Sequence, residues 1–256
     1  MTFWQPTSTC GDTCRAGGDD RVAGVRVVLR MLALFVVLLG ALVVVPLSRG
    51  RAVGSVARAM LGALGVRLHR RGPAPRPGSL LVANHVSWLD IVVMLALEPV
   101  RIVAKHDVEG WPGIGALASV LGAIFVDRTR PKALPGTVGE VTAALRAGRS
   151  VAVFPEGTTF CGPERGRFRP AMFQAAVNAG APVVPITIDY GTTAASFVGD
   201  ETLFTSVCRV AALRGLTVSL VTAPALRPDT GADRRTLARA AQASVGTTPL
   251  ALGLAA

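Results

Sequence analysis

A buried-strand pattern runs directly into a polar, histidine-bearing junction, and this constrains the chain most. Ser79-Leu80-Leu81-Val82-Ala83 is a short apolar run of the kind found in fully buried strands. Asn84-His85-Val86-Ser87-Trp88-Leu89-Asp90 follows, and residues 87–97 carry a helical pattern with Ser87 as its expected N-cap. His85 therefore stands where a strand ends and a helix begins, the place where open α/β sheets bind ligands. Asp90 lies five positions on. Within one regular helix, two such residues point about 140° apart. Across a strand-turn-helix junction, the first helical turn can bring the carboxylate back to the imidazole. There it would fix the ring's tautomer and stabilise its protonated form.

The rest of the chain repeats this alternation. Strands are expected at 80–83, 101–104, 124–126, 151–154, 183–188 and 217–221. Helices are expected near 87–97, 114–121, 136–147, 170–179 and 233–245. Strands alternating with helices imply a mostly parallel sheet covered by helices. The run from Gly72 to Gly78, with three prolines and two glycines, reads as a linker.

The N-terminal part has a different character. Residues 1–24 form a polar, Gly- and Thr-rich leader expected to be disordered. Met31–Leu47 is uncharged for seventeen residues. As a helix it is about 25 Å long, slightly short of a bilayer core of about 30 Å, and three readings compete: a signal peptide, weakened by the missing small-residue cleavage site, a single span, and a shallow re-entrant anchor. Residues 51–67 repeat apolar side chains at Val53, Ala57, Met60, Leu61 and Leu64, with Arg51, Arg58 and Arg67 elsewhere on the surface. That is the pattern of a basic amphipathic helix at a membrane interface, or of a surface helix packed on a domain. We read residues 25–71 as a helical pair that docks the remainder on a membrane, and 72–256 as the catalytic domain.

The net charge of +11 sits mostly at this end: residues 1–76 hold eleven arginines against Asp12, Asp19 and Asp20. Basic charge beside an apolar run suits an anionic membrane surface. A nucleic-acid partner is not expected, because basic and aromatic residues do not interleave and the chain has one tyrosine. The four cysteines, Cys10, Cys14, Cys161 and Cys208, include one close pair and no second, so no four-ligand zinc site is expected. Free thiols facing the cytosol are the expectation. A nucleophilic Cys161 is the rival reading.

Further motifs follow the first in order. Lys105 and His106 end a strand, and Lys105 is one of two lysines in the chain. Gly122–Arg128, GAIFVDR, is a short strand ending in Asp127-Arg128, where a guanidinium fork can hold phosphate or make a surface ion pair. Val151–Thr159, VAVFPEGTT, breaks at Pro155 into Glu156-Gly157-Thr158. Gly157 permits close backbone approach to a ligand. Glu156 can accept from a substrate hydroxyl or act as a cap. Val183-Val184-Pro185-Ile186 lies on a strand.

NHVSWLD, GAIFVDR, FPEGT and VVPI in this order, between Leu80 and Tyr190, resemble the 1-acyl-glycerol-3-phosphate acyltransferase family, the HxxxxD acyltransferases of glycerolipid synthesis. The resemblance implies an α/β (αβα) acyltransferase domain, an N-terminal membrane-docking helical pair and acyl-CoA or acyl-carrier-protein donors. It implies no metal and no bound cofactor. His85 would be the general base and Asp90 its partner. Lys105, Arg128 and the turn Glu156-Gly157-Thr158 would hold the acceptor's head group, and the stretch around Val183–Ile186 would shape the acyl side. The expected place is the cell membrane, with the catalytic domain on its cytoplasmic face.

One departure bears on the acceptor. Where family members often read EGTRS, this chain has Glu156-Gly157-Thr158-Thr159-Phe160. The missing cation removes a charge-assisted contact of about 1.5–3 kcal/mol, unless Arg165, Arg167 or Arg169 replaces it. The acceptor is therefore expected to be 1-acyl-glycerol-3-phosphate or another lysolipid such as lyso-ornithine lipid. A membrane-binding protein that keeps the fold without catalysis is the reading from a different class.

Overall fold

The computed structural model describes residues 6–15, 20–111, 113–229 and 231–247. Seven strands form one sheet: β1 (Arg67–Arg71), β2 (Leu80–Ala83), β3 (Arg101–Lys105), β4 (Ile124–Val126), β5 (Val151–Val153), β6 (Val183–Asp189) and β7 (Thr217–Thr222). Their spatial order is β1-β7-β6-β2-β5-β3-β4, and every pair is parallel except β6–β7. β2 is therefore central, with β5 on one side and β6 on the other. All four of its residues are fully buried, as the uninterrupted apolar run requires.

The helices are α1 (Gly24–Leu47), α2 (Val53–Ala63), α3 (Leu89–Leu97), α4 (Ile114–Val120), α5 (Leu134–Arg146), α6 (Phe173–Ala179), α7 (Leu203–Ala212) and α8 (Arg234–Thr247). Strand residues alternate between two cores. Leu81 and Ala83 face a core shared with α2, α3 and α7, while Leu80 and Val82 face one shared with α5, α6 and α8. This is the αβα layering that the family resemblance implies, built on the mostly parallel sheet expected from the alternation. β1 and α7 are additions that the sequence pattern did not announce.

The N-terminal part differs from expectation in three ways. First, β1 pairs with β7 in register from Arg67↔Thr217 to Arg71↔Val221. A boundary at 71/72 would cut the sheet, so the sheet-bearing unit begins before the Gly/Pro stretch. Second, the leader is packed on the domain where it is described. Cys10 is buried, Arg15 pairs with Glu201, and Val22 N–H donates to Ala212 O at 2.9 Å. Third, α2 turns its apolar face inward. Ala57, Leu61 and Leu64 join the core with Val92 and Val93 of α3. The amphipathic pattern there records packing on the domain.

α1 carries the outward apolar surface. Val27, Met31, Leu34 and Leu38 recur at helical spacing and pack on the core, and Ala41 and Val45 continue the stripe against Val53. The other side is open, with Val28, Leu32, Phe35, Val36, Leu39 and Val43 each at least half exposed. At 24 residues, α1 is long and apolar enough to cross a membrane. Near its start, Arg30 donates to the carbonyls of Ala211 and Leu213, both at 2.8 Å, and ties α1 to the end of α7.

Candidate active site

β2 delivers Asn84 and His85 to the carboxyl rim of the sheet. Asn84 is buried and extends the ladder with its side chain: Nδ2 donates to Ile188 O and Oδ1 accepts from Ile188 N–H, both at 2.8 Å. This pins the chain one residue before His85. The His85 ring stacks on Phe154, the residue after β5, with centroids 4.2 Å apart and planes 16° from parallel.

Asp90, in the first turn of α3, is fully buried. Its Oδ2 lies 2.8 Å from His85 Nδ1 and accepts from the N–H groups of Val86 at 2.7 Å and Ser87 at 2.9 Å. Its Oδ1 accepts from Tyr190 Oη at 2.5 Å. A buried carboxylate persists only with such a set of donors. With Asp90 as the acceptor, His85 Nδ1 holds the proton and Nε2 keeps a lone pair. The His85 side chain is 18% exposed.

Two side chains hold the helix start. α3 begins at Leu89, two residues after Ser87, and Ser87 Oγ accepts from Leu89 N–H in a long 3.4 Å contact, so Ser87 caps the helix only weakly. Asp90, from the first turn, accepts from the N–H groups of the two residues leading into the helix, Val86 and Ser87. Those N–H groups point at Asp90, so the donors of Val86 and Ser87 are not available to an oxyanion.

Glu156 is 3% exposed. Its Oε2 accepts from His85 N–H at 2.6 Å and its Oε1 from Gly166 N–H at 2.9 Å. The carboxylate expected to touch substrate is thus engaged by backbone donors, and it locks the His85 junction to the loop after β5. Burial pushes its pKa up to about 7, against the lowering effect of the two N–H donors.

The Gly157 turn gathers cations. Gly157 has φ +79°, a conformation that glycine adopts without strain. Arg128, after β4, donates to Gly157 O. Arg169 Nε would lie 3.6 Å from a Cβ placed on Gly157. Burial first, and then the charge of Arg169, lowers the Arg128 pKa. Two guanidiniums at one half-buried turn disfavour each other, and an anion between them would relieve both. Lys105 is half exposed and pairs with Asp107, whose charge acts on Arg128. Thr158 is half-buried in the same turn.

Thr159 does not face this site, since its hydroxyl donates to Phe197 O. An arginine from ten residues further on, Arg169, does lie at the Gly157 turn. Arg167 and Arg169 line a cleft of about 430 Å³ beside Glu156, which Arg235 and Arg239 of α8 also line. Arg165 is engaged elsewhere, donating to Val245 O at 3.0 Å. Cys161 is buried and its thiol is pushed up to about 11, opposite to what a thiolate nucleophile needs.

Tyr190 was not among the candidate residues. The available signal was its place, as the chain's only tyrosine, directly after the strand that ends beside β2.

A family model described as Acyltransferase matches residues 65–189. The chain is 35% identical over 180 residues to a 1-acyl-sn-glycerol-3-phosphate acyltransferase of Neisseria meningitidis, covering 68% of this chain and 71% of that one. It is also 35% identical over 194 residues to a lyso-ornithine lipid O-acyltransferase of Pseudomonas aeruginosa, covering 73% of each. The fold is similar to the crystal structure of a 1-acyl-sn-glycerophosphate acyltransferase from Thermotoga maritima. The TM-score is 0.62 at 20% identity, covering 86% of this chain and 92% of the other.

Proposed function

Because this chain belongs to the 1-acyl-sn-glycerol-3-phosphate acyltransferase family, we propose that it acylates the free hydroxyl of 1-acyl-sn-glycerol-3-phosphate. The donor is acyl-CoA or acyl-acyl-carrier protein, and the product is phosphatidic acid. The observation that carries this reading is the His85–Asp90 pair, 2.8 Å apart at the carboxyl end of β2.

An alcohol becomes an adequate nucleophile when a base takes its proton during attack. His85 Nε2 removes the hydroxyl proton of the acceptor. The oxygen attacks the thioester carbonyl to form a tetrahedral oxyanion. As the C–S bond breaks, the imidazolium returns its proton to the departing sulfur. Asp90 stabilises the imidazolium and holds the ring in position. The thioester is already activated, so these steps need no acyl-enzyme and no bound cofactor.

Arg128 and Arg169 beside Gly157 favour a phosphate-bearing acceptor. Their mutual repulsion gives an anion a differential advantage that a zwitterionic ornithine head group lacks. Lys105 and Thr158 complete the rim on this reading. Glu156 positions the junction and does not bind the acceptor.

The protein associates with a membrane, and we assign the contact to the outward side of α1. The catalytic domain faces the cytoplasm, where acyl thioesters are supplied. The test is an acceptor panel: purified protein in vesicles, one acyl-CoA, and either lysophosphatidic acid or lyso-ornithine lipid, read by lipid mass spectrometry. Phosphatidic acid as the main product supports the proposal. Acylation of lyso-ornithine lipid alone would overturn it.

A further inference from the structure

Three of the four cysteines converge. Cys10 and Cys14 come from the N-terminal segment and Cys161 from the loop after the Glu156–Thr158 turn. Their sulfur atoms all lie within 4.8 Å of one another. The short helical turn Asp12–Arg15, anchored by Cys14 N–H on Gly11 O at 3.0 Å, brings Cys14 to the same side as Cys10. Cys10 Sγ is 3.3 Å from Cys161 Sγ, and it accepts from Cys161 N–H at 3.3 Å. An N–H donor aimed at a sulfur is the outer-shell contact that steadies a coordinating thiolate.

We propose that Cys10, Cys14 and Cys161 form a three-thiolate site for a thiophilic cation of the zinc type. Zn–S bonds of about 2.3 Å in tetrahedral geometry place sulfurs about 3.8 Å apart, within the span seen here. A disulfide would use two of the three sulfurs and leave the third without a role. Cys10 and Cys161 are buried while Cys14 is partly exposed, so the open fourth position faces solvent. The apolar cluster here is small: Phe160 and Val198 with the cysteines themselves. A cation therefore adds the cohesion that so small a core lacks.

The site has a structural consequence. It clips the N-terminal segment to the loop that carries the anion-binding turn. Pro6 then lies against Gly157, 2.9 Å from where a Cβ would stand, and Thr7 lines the arginine-rich cleft. The cation has no part in the acyl transfer described above. Sequence spacing concealed the site because Cys10 and Cys161 are 151 residues apart.

The experiment uses the full chain purified in detergent under reducing conditions. Its zinc content is measured by elemental mass spectrometry, and Co²⁺ exchange is followed through sulfur-to-cobalt charge-transfer absorption. The expected result is about one zinc per chain and a charge-transfer band of three-thiolate intensity. Cys10→Ser, Cys14→Ser and Cys161→Ser should each lose the band, and Cys208→Ser should keep it. Where a serine variant fails to fold, the wild-type protein still decides the matter: a chelator should lower its melting temperature, and added zinc should restore it. A protein that takes up no zinc or cobalt, or that holds a Cys10–Cys161 disulfide under these conditions, would overturn the proposal.

Discussion

Tyr190 Oη lies 2.5 Å from Asp90 Oδ1, so the chain's only tyrosine donates to the carboxylate oxygen that His85 leaves unused. Both residues are buried, and burial followed by the Asp90 charge raises the tyrosine pKa well above its usual value. The phenol therefore stays protonated and donating across the working range. Tyr190→Phe removes one charge-assisted bond and leaves the ring's packing intact. We expect a loss of about 1.5–3 kcal/mol in unfolding free energy and a lower kcat with a nearly unchanged acceptor KM. Denaturant unfolding and steady-state kinetics check the two parts.

Asp90 fixes the tautomer of His85, and an amide in its place would misplace the proton. Asp90→Asn would also meet the N–H groups of Val86 and Ser87 with a poorer acceptor. Transfer should fall by about a hundredfold or more. An intact near-ultraviolet circular dichroism spectrum would show that the loss is chemical.

Arg128 and Arg169 should act on the acceptor's phosphate and not on the donor. Arg169→Ala should raise KM for lysophosphatidic acid by about tenfold or more, the equivalent of one charge-assisted contact. The KM for acyl-CoA should change little. If Arg169→Ala leaves the acceptor KM unchanged, the phosphate is bound elsewhere.

Glu156 makes stability depend on pH with a definite sign. Its folded pKa of about 7 lies above the ordinary 4.5, so between these values the native state holds a proton that the unfolded chain has released. Its contribution is fully present below about pH 4.5 and is lost as pH rises through 7. The total is about 3 kcal/mol at 1.36 kcal/mol per pH unit. Glu156→Gln should be less stable overall, because a side-chain N–H₂ then faces a backbone donor. The decline over that pH window should also disappear. Urea melts at several pH values measure both.

The outward side of α1, and not α2, should govern membrane binding. Phe35 is 58% exposed, so Phe35→Glu leaves the core alone and places a charge on the lipid-facing surface. Flotation with anionic vesicles should show weaker binding by the variant. Arg58→Ala on α2 should reduce it far less.

The parts of this molecule legible in its sequence are those set by local pattern. β2 is an unbroken apolar run because it is buried on both faces, and the NHVSWLD junction placed His85 and Asp90 on one rim. The parts that were not legible depend on long-range contact. β1, RLHRR, carries four charged or titratable residues in five, and only its pairing with β7 makes it a strand. The apolar face of α2 looks the same whether it meets lipid or α3. Glu156 sits beside a glycine turn like a ligand-binding carboxylate, but His85 N–H and Gly166 N–H come to it through the fold. Tyr190 is 100 residues from its partner. The cation absent at position 159 returns at Arg169, which the chain folds back onto Gly157 by way of Arg169 N–H on Pro155 O at 2.9 Å.

The most direct measurement is single-turnover acyl transfer by His85→Ala in vesicles, with lysophosphatidic acid and one acyl-CoA, beside wild type of matched melting temperature. Removal of the base should cut the rate constant by about a thousandfold, within the range that general-base catalysis supplies. A variant that transfers at near the wild-type rate would contradict the account.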